Sequence, residues 1–167
     1  MFRTVVWACD GHPHDHDELA YVRELCRAHR CRLWIAHAAQ PATAQPSGRT
    51  EPDRVEERAI GGLKARTHSL REEGIDASLH VIRGVAGSPA AAIAQLVRDV
   101  DADLLVLGAG RRRRRHRPSP GATATALLTT AGCAVLWLDG LAGISDPSGN
   151  DADADDGGPV GCAPVVR

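Results

Sequence analysis

The stretch LLVLGAGRRRRRHRPSPGATATALLTT, residues 104–130, decides the fold. Leu104, Leu105, Val106 and Leu107 form a short unbroken apolar run, which reads as a strand buried on both faces. It opens through Gly108, Ala109 and Gly110 toward a helix that the pattern places over 123–131. A strand that turns through small residues toward a helix start is how open α/β sheets build anion sites, because backbone N–H groups can then approach a phosphate. Here the loop carries five consecutive arginines, Arg111 to Arg115, followed by His116 and Arg117. Close backbone approach and crowded guanidinium groups make competing demands on one short segment.

The alternation of strand and helix extends back to the N-terminus. Residues 4–9, TVVWAC, are almost continuously apolar and end at Asp10 and Gly11, as a buried first strand would. A helix is predicted over 17–29, with Leu19, Val22, Leu25 and Cys26 on one stripe and His29 and Arg30 at its C-terminal end. RLWIAHA, residues 32–38, is a second strand. Thr50 and Asp53 are spaced like a capping box, Pro52 suits a first turn, and Val55, Ala59, Leu63 and Leu70 carry a helical stripe to about Glu73, with Gly74 as its stop. A third strand follows over 77–82, then a turn over 84–87. Ser88 and Pro89 make an N-cap and a first helical position. A last strand runs from Cys133 to Leu138. Apolar strands alternating with helices predict an α/β fold with a parallel sheet covered on both faces, and right-handed crossovers make it doubly wound.

The chain has 167 residues, enough for one ordinary core, and the predicted domain spans 1–140. Residues 141–167 shift to a composition with too little apolar surface to offset the entropy of ordering, so a disordered acidic tail is predicted there. Its DADADD run lacks the glycine and glutamate of a calcium loop. The formal net charge of -1 hides the arginines at 111–117 and the acids Asp151, Asp153, Asp155 and Asp156. Near-neutral charge and 3% aromatic residues supply neither a broad positive field nor stacking platforms, which argues against a nucleic-acid partner. Five cysteines, Cys9, Cys26, Cys31, Cys133 and Cys162, contain no CxxC pair and read as reduced thiols. The N-terminal apolar run is too short for a signal peptide or a membrane span, so a soluble cytoplasmic protein with no membrane contact is expected.

From Thr4 to Leu138 the order of elements resembles a universal stress protein domain. The residues that carry the resemblance are Asp10 after strand one, His37 in strand two, Gly84 and Pro89 around the third helix start, ADLLVLG at strand four and AGCAVLWL at the close. The resemblance implies a five-stranded parallel sheet of order 3-2-1-4-5 and a homodimer paired through the strand from Cys133 to Leu138. In the ATP-binding branch of that family, strand four is followed by glycine, two residues, glycine, nine residues, then glycine and serine or threonine. This chain keeps the spacing with Gly108 and Gly121, but sets Arg111 at the second glycine and Ala122 at the hydroxyl. By the same carry-over Asp10 meets the ribose or adenine side, Ala38 offers backbone atoms to the base, and Gly121, Ala122 and Thr123 offer amides to the phosphates of ATP or AMP.

The two departures differ in weight. A missing hydroxyl at Ala122 removes one hydrogen bond, worth about 1 kcal/mol, and Thr123 stands beside it. Arg111 resists the left-handed conformation open to glycine and fills the space a phosphate would take, yet brings a fork of donors suited to phosphate. The functional expectation is a regulatory stress-response protein with a vestigial or modified nucleotide site. Two alternatives stand beside it: a functional ATP-binding switch, and a scaffold whose loop from Arg111 to Arg117 binds acidic partners or the chain's own tail. The same loop is a candidate site for a nucleotide or another anion. That loop reads equally as a solvated surface segment.

No metal site is expected, because His12, His14 and His16 match no closed zinc pattern. No enzyme is expected either. No paired carboxylates, reactive CxxC or nucleophile motif emerges, Ser119 has no partner base, and residual ATP hydrolysis would have only Asp10 to draw on.

Overall fold

A computed structural model describes residues 1–11, 16–39, 51–83, 88–108 and 121–138. Five strands, β1 (Thr4–Ala8), β2 (Arg32–Ala38), β3 (Ala77–Ile82), β4 (Leu104–Leu107) and β5 (Ala134–Trp137), alternate with four helices, α1 (His16–His29), α2 (Glu51–Glu72), α3 (Pro89–Asp99) and α4 (Ala122–Thr130). All the strand pairings are parallel and the order is β3-β2-β1-β4-β5. This is the doubly wound sheet the sequence predicts. Strand one is shorter than expected, ending at Ala8, so Asp10 lies two residues beyond it. The capping-box residue Thr50, the turn over 84–87, the loop 109–120 and the tail from 139 onward fall outside the described residues.

Alternation along the strands sorts the core into two halves. Val5, Trp7, Leu33, Ile35, Leu104 and Val106 face α1 and α2, where Val22, Cys26, Leu63 and Leu70 meet them. Val6, Ala36, Leu105, Leu107 and Val135 face α3 and α4, where Ile93, Ala94, Val97 and Leu127 meet them. α2 runs through Gly61 and Gly62, each costing about 1 kcal/mol against alanine in a helix interior; burial of Ile60, Leu63, Thr67 and Leu70 carries the helix past them.

Helix ends follow their sequence signals. Ser88 Oγ accepts from the Ala90 N–H at 3.2 Å, with Pro89 at the first position of α3. Gly74, at φ +82°, ends α2: its N–H donates to the Arg71 carbonyl at 2.9 Å and that of Ile75 to the Leu70 carbonyl at 2.9 Å, the bond pattern of a Schellman cap. Arg30 (φ +52°) and Asp101 (φ +50°) hold the same left-handed position after α1 and α3.

Asp103 ties β4 to β1. Its Oδ2 accepts from the backbone N–H groups of Arg3 at 2.6 Å and Thr4 at 2.9 Å. The Thr4 and Arg3 N–H groups hold its carboxyl below the usual carboxylate range. A lowered folded-state value means the stabilisation is present above the unfolded pKa and is lost as pH falls through the folded one. The melting temperature of Asp103→Asn should therefore lie below wild type at pH 7, with the two curves converging as the pH drops below about 4. A constant gap from pH 7 to pH 2 would refute this.

Candidate functional site

Parallel topology puts the carboxyl end of every strand, and the start of every helix, at one end of the sheet. The order β3-β2-β1-β4-β5 reverses direction between β1 and β4, which is where open α/β sheets bind ligands. Asp10 follows β1 and Gly108 follows β4, and the register pairs Ala8 with both Leu107 and Ala36. Asp10 is thus flanked by the end of β4 on one side and by Ala38, the last residue of β2, on the other. Asp10, Ala38 and Gly108 are each half-buried. Gly121 is the N-cap of α4, in extended conformation and without a side-chain cap, and Ala122 and Thr123 are the exposed first residues of that helix. Backbone topology brings these six predicted residues to one end of the molecule. Arg111 lies outside the described residues.

The turn after β1 is held from two sides. The Cys9 N–H donates to the Ala36 carbonyl at 3.1 Å. His37, only 3% exposed, places Nδ1 3.1 Å from the Cys9 carbonyl and Nε2 2.6 Å from Glu56 Oε1 of α2. The carbonyl can only accept, so Nδ1 donates to it, and Nε2 is the ring nitrogen that meets the carboxylate. One imidazole thus joins β2, the residue before Asp10, and α2. Gly11 completes the brace at φ +75°, where a Cβ would lie 2.9 Å from that of Ala59.

Sequence reasoning missed Glu18. This residue of α1 is 7% exposed, and its carboxylate lies directly over Gly108, so that a Cβ there would run into both its oxygens. Position 18 falls on the apolar side of α1 beside Leu19, and an acid on a buried stripe is the signal that could have flagged it. Two acids, Asp10 after β1 and Glu18 over the end of β4, thus stand at this end of the sheet. Among the described residues no group of three metal-ligating side chains occurs, and no helix is long and apolar enough to cross a membrane.

The doubly wound sheet thus sets Asp10, Ala38, Gly108 and the start of α4 at its β1/β4 switch point. The universal stress protein family profile matches residues 1–138, and the chain belongs to that family. A universal stress protein of Thermus aquaticus, encoded 3′ of a QAH/OAS sulfhydrylase, is 30% identical over 111 residues, spanning 65% of this chain and 77% of its own. Among solved structures, the Archaeoglobus fulgidus universal stress protein superposes with a TM-score of 0.63 at 20% identity, covering 82% of this chain and 98% of that one. A universal stress protein in complex with cAMP gives a TM-score of 0.58 at 21% identity, covering 82% and 96%.

Proposed function

We propose that this chain is a regulatory stress-response protein whose nucleotide site is modified, so that it binds ATP weakly or not at all. The observation that carries this reading is Glu18. Its buried carboxylate occupies the space over Gly108, the first glycine of the spacing that in ATP-binding relatives leads to the phosphates. Two unit charges 4 Å apart repel by about 1 kcal/mol in water and about 4 kcal/mol at the effective dielectric of a protein surface. Three residues on, Arg111 replaces the second glycine and brings a cation that can answer Glu18 or an incoming phosphate. The loss at Ala122 is the smallest of the three changes.

Calorimetric titration with ATP and AMP, with and without magnesium, tests the reading on wild type and on Glu18→Gln. Wild type should bind ATP weakly or undetectably, and the variant tenfold or more tightly. Tight, magnesium-dependent ATP binding by wild type would overturn the modified-site reading. It would favour the second one, a working ATP switch, which the kept Gly108 to Gly121 spacing and the relative solved with cAMP support.

The reading extends to a homodimer. β5 pairs with β4 alone among the described residues, which leaves its outer edge for a second copy. Light scattering that gave the mass of a single chain would remove this part.

A further inference from the structure

Cys26 and Cys31 meet at the opposite end of the sheet from the nucleotide crevice. Arg30 in its left-handed turn folds the chain back after α1, and the Cys31 N–H donates to the Cys26 carbonyl at 3.3 Å. Cys26 and Cys31 thus hold the two positions whose side chains touch across a Schellman cap. The cap brings the two side chains together at one end of the turn, so that each thiol lies within reach of the other. Both residues are almost fully buried, at 2% and 4% exposure. Both also line a cavity of about 670 Å³ whose rim includes Arg3, Arg30, Arg32 and Asp76. A polar entrance of this kind admits a water-sized oxidant, while the burial of the sulfurs excludes a bulky one.

We propose that Cys26 and Cys31 are a modification site: a dithiol that a small peroxide converts to an intrachain disulfide. The Cys31 sulfur, as thiolate, attacks one peroxide oxygen and breaks the O–O bond. Hydroxide leaves and takes up the proton that Cys31 released, giving one water and a sulfenic acid. The Cys26 sulfur then attacks the Cys31 sulfur and displaces the hydroxyl, which departs with the Cys26 proton as a second water. Two thiols lose two electrons and two protons, and one peroxide becomes two waters. Burial raises both thiols above their ordinary range and keeps them protonated near neutrality, so the conversion is slow and answers sustained exposure rather than a brief pulse. The new bond locks the turn between α1 and β2 without touching the crevice residues.

The test exposes the full reduced chain to hydrogen peroxide, then denatures it and labels free thiols with N-ethylmaleimide. Five labels are expected before oxidation and three after it, since two of the five cysteines are consumed. Trypsin cuts after Arg23, Arg27, Arg30 and Arg32, so the disulfide joins the peptide ELCR (24–27) to the dipeptide CR (31–32). Cys133→Ser should leave this linked pair unchanged, and Cys31→Ser should abolish it. Five labels after prolonged exposure, or a bond from Cys26 or Cys31 to another cysteine or another chain, would overturn the proposal. Both readouts come from wild type, so they hold even if a variant fails to fold.

Discussion

Gly11→Ala should lower the stability of this protein by about 2–5 kcal/mol, read as a fall in melting temperature of roughly 5–20 °C. Two penalties act at once. The backbone holds φ at +75°, a region that costs an L-residue about 1–2 kcal/mol. The added methyl would also meet Ala59 Cβ at 2.9 Å and Leu63 Cδ1 at 3.5 Å, so α2 must retreat from the β1 turn. Overpacking of this kind costs about 1–3 kcal/mol. Because Asp10 is the preceding residue, the same strain would reach the crevice. Gly61→Ala is the control: a methyl there meets nothing within 4 Å and sits in a helix interior, where alanine gains up to about 1 kcal/mol. If Gly11→Ala cost no more than Gly61→Ala, the tight packing of the turn would be refuted.

His37→Ala should cost a similar amount, about 2–4 kcal/mol, measured by urea unfolding at unchanged m-value. Truncation empties a site that is 3% exposed and removes both ring bonds, leaving the Cys9 carbonyl and the Glu56 carboxylate without the imidazole. Glu56→Gln should cost less, because its amide group can still hydrogen-bond Nε2 while Nδ1 goes on donating to the Cys9 carbonyl. A loss below 1 kcal/mol in His37→Ala would mean that the imidazole is not the link between β2, the Asp10 turn and α2.

The outline of the sheet was legible because it depends on local pattern. The unbroken apolar runs at 5–8 and 104–107 can be buried on both faces only between helices, and Ser88-Pro89 and Gly74 act through their own backbone conformations. The side-chain pairs that shape the crevice were not legible in the same way. Glu18 meets Gly108 across ninety residues, and only the β1/β4 register that sets α1 over the end of β4 brings them together. His37 stood out as a strand-two residue, but nothing in a one-dimensional pattern pairs it with Glu56 rather than with another acid of α2. Arg111 stood out as well, and its contribution is read from its spacing alone.

By itself, then, the amino-acid sequence determined the fold, its strand order through the family resemblance, and the positions at which this chain departs from the ATP-binding pattern. Those features follow from short-range periodicity, turn chemistry and spacing. Only the tertiary structure decided that a carboxylate lies over Gly108, that an imidazole and a glycine brace the turn after β1, and that two cysteines five residues apart are buried together beside an open cavity. Contacts of that kind depend on how helices are seated against the sheet, and no local preference along the chain specifies the seating.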